Sequence, residues 1–157
     1  MKTLIFQPGG KVRVLADSAV GRNRQPWFLP EFGSDWKWHT ASALRISRLG
    51  KGIRPEFADR YAADRSLAWI PEADANPAAE FMDGAVIIGD WMPIGPAGLT
   101  GRERDAIATA ARFATLKQGD VIILEEDNAD IGVPIRINDR IHIESADGHV
   151  VLEFNIK

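Results

Sequence analysis

Cysteine is absent from the chain. That excludes disulfides, thiolate zinc sites, cysteine-held iron–sulfur clusters and any cysteine nucleophile. Histidine is scarce: His39, His142 and His149 are the whole supply, so imidazole chemistry has few places to sit. Long apolar runs are missing too. No stretch approaches the ~20 apolar residues that cross a bilayer, and the N-terminus runs into Pro8-Gly9-Gly10 after three consecutive apolar residues, Leu4-Ile5-Phe6, too few for the core of a signal peptide. Charge of one sign is also missing, with 19 basic against 22 acidic residues and a net charge of −3. The cations are scattered and offer no footprint for phosphate backbones. These absences predict no nucleic-acid partner, no membrane partner and a cytoplasmic location.

What remains is a chain of 157 residues, 45% hydrophobic and 26% charged, the composition of one globular domain, 1–157. A domain of this size can bury roughly 70% of the surface of its unfolded chain, enough to form a core without staples. Short apolar runs bounded by Gly, Pro, Asn and Asp predict strands at Val12–Leu15, Trp27–Leu29, Ala85–Ile88 and Val121–Leu124, and a long one over Trp36–Ile46. Ile135, Ile137, Ile141 and Ile143 recur at even spacing around Asn138-Asp139. Asp147-Gly148 between 140–144 and 149–156 predicts a C-terminal hairpin, because Gly accepts the positive φ of a tight turn.

Two short helices are expected. Pro55 suits a first helical position, with Ala58, Tyr61 and Ala62 as an apolar stripe. Thr100 and Glu103 form a capping box ahead of Ile107, Ala110, Ala111 and Ala114, spaced i, i+3, i+4 and i+7. The fold class is therefore α+β and β-rich.

No complete catalytic set is visible in the residues. His142 and His149 share the predicted hairpin, but two ligands without a third seldom hold a metal. His39 sits in the long strand and reads as a hydrogen-bonded structural residue ahead of a base. Glu125-Glu126-Asp127, with Asp130 three positions on, could offer oxygen donors to a hard cation, but the run lacks the full spacing of an EF-hand loop and a solvated turn is the favoured reading. The five tryptophans fit core packing best, with Trp36, Trp38 and Trp91 the candidates to line a binding pocket or an oligomer interface.

The order of several segments resembles the fumarylacetoacetate hydrolase family in its compact bacterial form. These are Ala16-Asp17-Ser18-Ala19, Gln25-Pro26-Trp27-Phe28-Leu29-Pro30-Glu31-Phe32, Arg45-Ile46-Ser47-Arg48-Leu49-Gly50-Lys51, Phe81-Met82-Asp83-Gly84-Ala85, Thr115 to Ile122, and Asn138-Asp139-Arg140-Ile141. The resemblance spans 16–157 with a gap near 92–101, and leaves 1–11 as an atypical, shortened lead. It implies a mixed β-sheet roll like the family's C-terminal domain, a homodimer, and a divalent cation held by a Glu-x-Glu pair and an aspartate. That cation polarises a 1,3-dicarbonyl or 2-oxo acid for C–C hydrolysis or decarboxylation.

Carried over position by position, the glutamates fall on His39 and Ala41 and the aspartate on Trp69. A family lysine falls on Glu80, the Gly-Thr-Pro turn is replaced by 125–128, and the N-terminal His-x-x-Glu acid/base pair has no counterpart. The expectation is a degenerate family member. Its metal and cofactor would be lost, its catalytic residues absent, and its role binding or interaction, with catalytic relatives as possible partners. Trp38, Glu125 and Asp127 would then line a possible ligand cleft. The alternative is a hydrolase or lyase on the same small acids with a site rebuilt around His39, Glu80 and the acidic run. Clustering of His39, Glu80 and Glu125 within ~4 Å around a closed pocket would favour it, and a site filled by Trp38, Trp69 or Trp91 would favour the degenerate reading.

Overall fold

The computed structural model describes residues 1–126 and 132–157. Its strands are β1 Thr3–Phe6, β2 Val12–Leu15, β3 Val20–Arg22, β4 Ser34–Ile46, β5 Ala62–Asp74, β6 Val86–Ile88, β7 Met92–Pro93, β8 Val121–Leu124, β9 Val133–Pro134, β10 Arg140–Glu144 and β11 Val150–Asn155; the one α-helix among the described residues, α1, spans Gly101–Phe113. The main sheet runs β2-β1-β8-β4-β5-β6-β3, with β7 added to β5 and β9 to β4. It is a mixed sheet: β1 is parallel to β8 and β3 to β6, while β4 is antiparallel to both β5 and β8.

Residues 1–11 contribute β1, which is inserted between β2 and β8, one strand in from the edge of the sheet. Leu4 and Ile5 are buried there, and Lys2 is tied to the buried Asp120 by a backbone hydrogen bond of 2.8 Å and a 2.9 Å ion pair.

The long antiparallel pair β4–β5 is the backbone of the site. Its register sets Lys37 opposite Glu72, His39 opposite Ile70 and Thr40 opposite Trp69. Side chains two residues apart share a face, so Lys37, His39 and Ala41 lie with Glu72 and Ile70, and Trp69 points the other way. Asp35, with φ of 53°, marks the irregularity at which the pairing skips from Ser34 to Lys37.

Two apolar clusters follow from this sheet. Helix α1 begins with both halves of the Thr100–Glu103 capping box formed and lays Ile107, Ala110 and Ala111 over Leu4, Leu44, Ile46, Ile122 and Leu124. The second cluster gathers Trp27, Trp36 and Trp69 with Phe154, Leu152 and Ile141 from the hairpin β10–β11. Trp69 is fully buried, with edge-on partners Trp27 at 5.1 Å and Phe154 at 5.0 Å between ring centres. Burial of these aromatic rings and aliphatic chains, at about 25 cal/mol per Å², is the main stabilising term of the fold.

Several local expectations are met. The capped helix, the strands at 12–15 and 121–124, and the C-terminal hairpin all form. Others differ. The segment at Pro55 is a 3-10 helix ending at Arg60, because Ala62 is taken as the first residue of β5 and its pairing with Ile46 wins over another helical turn. Trp27–Leu29 makes a single bridge, Trp27 to Ile156. Ile135 and Ile137 lie outside any strand, since the chain turns at Asn138, with φ of 74°. No helix among the described residues is long and apolar enough to cross a membrane.

Candidate metal centre

His39, Glu72 and Glu125 each offer one donor atom, and those three atoms lie within 4.8 Å of one another. Their convergence follows from the sheet. Continuing the β4–β8 register one step beyond Ser42–Leu124 brings Glu125 beside Ala41, two residues from His39 on the same face. The small Ala41 side chain, 3% exposed, leaves room for both larger groups. Glu72 comes from the other neighbour, β5, diagonally across from His39. The centre is thus built from three adjacent strands, a rigid support for a binding constellation.

His39 Nε2 is 3.0 Å from Glu125 Oε1, and Nδ1 is 3.9 Å from Glu72 Oε2. The first two side chains are 7% and 4% exposed, while Glu72 is half-exposed at 51%. Burial is the largest influence on His39 and lowers its pKa. The hydrogen bond to Glu125 and the charges of Glu72 and Glu125 together outweigh it, so the pKa ends above the ordinary histidine value. For Glu125 burial is again the largest influence and acts upward, but the hydrogen bond and charge of His39, the hydrogen bond from Gln7 and the charge of Arg13 bring the pKa below the usual glutamate value. The two shifts agree: without a metal the pair favours imidazolium and carboxylate.

A cavity of about 330 Å³ opens against this cluster, lined by His39 and Glu72 together with Arg13, Lys37, Asp35 and Asp74 among others. Glu125 stands behind His39, and Arg102 of α1 holds the end of β8 by donating to the Glu125 carbonyl and pairing with the Glu126 carboxylate at 3.0 Å. The donor set fits a divalent cation. Two carboxylates offset its charge; neighbouring ligands around such an ion stand about 3 Å apart, given bonds of about 2.1 Å, a spacing that His39 and Glu125 have at 3.0 Å and that Glu72, 3.9 Å from the other ring nitrogen, would reach by a side-chain shift. One imidazole with two carboxylates suits Mn²⁺, Fe²⁺ or Zn²⁺ better than Mg²⁺, which prefers oxygen throughout.

The expectation that the metal site has been lost is therefore overturned. His39 and Glu125 are brought together, and the third donor is Glu72, which the sequence reading did not single out. Glu80 lies in the loop between β5 and β6, exposed, with its carbonyl accepting from Ala16 N at 3.0 Å. Ala41 is the spacer between the ligands, and Trp69 belongs to the aromatic cluster. Trp38 is half-buried beside Trp69 at 6.3 Å, and Trp91 lies under Arg45, 4.8 Å from the ring centre. None of these three rings lines the cavity.

Asp127 and Asp130 fall outside the described residues. His142 pairs with Glu144 at 3.0 Å and His149 approaches Asp90 at 3.7 Å, so the hairpin histidines do not form a joint site.

No protein-family model matches the chain, and no curated protein does. Solved structures do match. One is maleylpyruvate hydrolase from Sphingobium sp. SYK-6 in complex with manganese(II) ion and pyruvate, with a TM-score of 0.81 at 16% identity, covering 99% of this chain and 69% of that one. A fumarylacetoacetate hydrolase family protein from Yersinia pestis CO92 gives 0.78 at 17% identity, covering 99% and 92%. A 5-carboxymethyl-2-hydroxymuconate delta-isomerase from Mycobacterium smegmatis gives 0.78 at 15%, covering 99% and 78%. At these identities the likeness establishes the fold alone: the mixed β-sheet architecture of these structures, here with one α-helix, α1, and short 3-10 segments among the described residues.

Proposed function

We propose that this protein is a divalent-metal-dependent hydrolase or lyase acting on a small 2-oxo or 1,3-dicarbonyl acid. The observation that carries the reading is the convergence of His39, Glu72 and Glu125 beside an open cavity. The similar Sphingobium structure, described with manganese(II) and pyruvate, supports both the choice of cation and the kind of acid. A binding-only role is set aside, because a three-donor set at the wall of a cavity is what a metal enzyme requires and a packing core does not.

His39, Glu72 and Glu125 would hold the cation, whose chemistry there is Lewis-acid polarisation of a substrate carbonyl. His39 must give up its proton to serve as a ligand, so the residues that raise its pKa make loading dependent on pH. Glu125 is kept ionised by its neighbours, and Arg102 fixes the strand end that carries it. Glu72, half-exposed at the rim, is the ligand most open to substrate and water.

A closer match to the family's C-terminal domain, a single domain over 1–157, a homodimer and a cytoplasmic location belong to the same proposal. The dimer draws its support from the half-buried Trp38 and Trp91, which suit an interface. Mn²⁺ titration with an acylpyruvate and with oxaloacetate tests the function. Metal-dependent pyruvate release that His39→Ala abolishes is the expected result; a protein that takes no Mn²⁺ would overturn the reading.

A further inference from the structure

The cavity is lined by more than metal ligands. Two cations, Arg13 and Lys37, share its wall with Asp35, Glu72 and Asp74. Arg13 lies on β2, opposite Ile5 of β1. Its neighbours Val12 and Val14 are exposed while Arg13 is half-buried, as strand alternation requires when its side chain turns inward. Its Nη2 donates to the Ala79 carbonyl at 3.3 Å, which docks the guanidinium on the loop that follows β5.

Among the described residues neither Arg13 nor Lys37 has a carboxylate within ion-pair distance, although the same wall carries three. The Arg13 charge is nonetheless felt at both His39 and Glu125. Lys37 is two residues from His39 on the same face, and its stem passes so close to Gly132 that a Cβ there would sit 2.7 Å from Lys37 Cβ. Two carboxylate ligands neutralise a divalent cation. Asp35 and Asp74 equal Arg13 and Lys37 in number, so the wall is neutral overall, and what offers an anion a place is the separation of the two cations from those carboxylates. Of the two cations, Arg13 presents the planar fork that matches a carboxylate, with donors to spare beyond Ala79.

We propose that Arg13, seconded by Lys37, is the specificity-determining anion receptor of this cavity, taking the carboxylate of a 2-oxo acid presented to the His39–Glu72–Glu125 centre. The inference rests on the metal-enzyme reading above. It gives β2, from the segment the sequence assigns only to a lead and its first strand, a role in recognition.

The test compares pyruvate with methyl pyruvate, which keeps both carbonyl oxygens and lacks the charge, by calorimetry on the Mn²⁺-loaded protein and its Arg13→Gln, Arg13→Lys and Lys37→Gln variants. Mn²⁺ affinity is measured separately for each, and far-ultraviolet circular dichroism confirms folding. Arg13→Gln is expected to keep Mn²⁺ affinity within about threefold and lose about 10- to 100-fold in pyruvate affinity, while methyl pyruvate changes little. Arg13→Lys should recover part of the loss. Equal losses for both probes, or no loss for either, would overturn the proposal.

If the unmodified protein takes no Mn²⁺, the function reading fails by itself. The same titration on the metal-free protein then decides this one: pyruvate binding that requires Arg13 sustains it, and no binding ends it.

Discussion

His39 Nε2 and Glu125 Oε1 stand 3.0 Å apart with both side chains almost fully buried, so each is the other's main compensation for leaving water. Removing one partner strands a charge. Glu125→Ala is expected to cost about 3–5 kcal/mol, read by urea denaturation in the absence of metal. The raised His39 pKa contributes stability that is complete below the ordinary histidine value and fades as pH rises through the raised one. The lowered Glu125 pKa contributes stability present above the ordinary glutamate value and lost as pH falls through the lowered one. The penalty should therefore peak between the two ordinary values; a cost independent of pH would mean that packing, not the pair, is what the variant removes.

Metal binding separates the two carboxylates that compete for the role of third ligand. Saturation at about 100 times the Kd adds about 2.7 kcal/mol, which for a domain of this size raises Tm by about 5–11 °C. Mn²⁺ should produce that shift in the unmodified protein and in Glu80→Gln, whose residue lies in the loop after β5. Glu72→Gln should lose most of it. The shift should also grow with pH, since the cation displaces a proton from His39. Loss on Glu80→Gln and retention on Glu72→Gln would reverse the ligand assignment.

Much of the fold is legible in the sequence because its signals are local. The capping box at Thr100, the Asp147-Gly148 turn and the apolar run 121–124 each specify their element within a few residues. The site is less so. Glu125 and His39 stand out as a carboxylate after a buried strand and a lone histidine in a long one, but their meeting depends on β8 pairing with β4 across 86 positions of sequence. Glu72 was hidden by a further step. β5 carries Arg65, Asp64, Pro71 and Glu72 among its apolar residues, which blurs the period-two signal, and its first residue, Ala62, also completes a helical stripe. With Ala62 placed in a helical stripe and 63–74 assigned to no element, the strand that delivers the third ligand goes unseen. The family pattern, carried onto His39, Ala41 and Trp69, places donors along one strand and at one partner position, whereas the centre draws its donors from β4, β5 and the end of β8.

A second charge pair, buried at its carboxylate, fixes α1 to β5. Glu103, 4% exposed, receives Arg65 on both oxygens, Nη2 at 2.7 Å and Nε at 3.1 Å, and closes the capping box on Thr100 N at 2.8 Å. Burial is the largest influence on its pKa and acts upward, but the Arg65 and Thr100 contacts prevail and hold it below the usual glutamate value. A lowered pKa gives stability that is present above the unfolded glutamate value and lost as pH falls through the folded one. Unfolding free energy should accordingly drop on acidification through that range, and less steeply in Glu103→Gln. Glu103→Gln should also cost about 1–3 kcal/mol at neutral pH through loss of charge-assisted hydrogen bonds. Parallel pH–stability curves for the two proteins would rule out Glu103 as the source.

Position 69 gives the sharpest contrast between a site built along one strand and the one observed. Trp69 pairs with Thr40, so its side chain leaves the face of His39, and it is wholly enclosed by Trp27, Trp38 and Phe154. A carboxylate placed there cannot join the metal ligands and has no cation to pair with among the rings around it. Trp69→Asp is expected to destabilise by more than about 4 kcal/mol, with no gain in Mn²⁺ affinity. Trp69→Phe behaves differently. The indole Nε1 is buried without a hydrogen-bond partner among the described residues, so phenylalanine removes an unsatisfied donor worth about 1–3 kcal/mol of penalty while giving up part of the ring volume. The two effects oppose each other, and the net change should stay within about 2 kcal/mol by chemical denaturation. A Trp69→Asp protein that folds and binds Mn²⁺ more tightly than the unmodified chain would place position 69 in the metal centre and refute the three-strand arrangement.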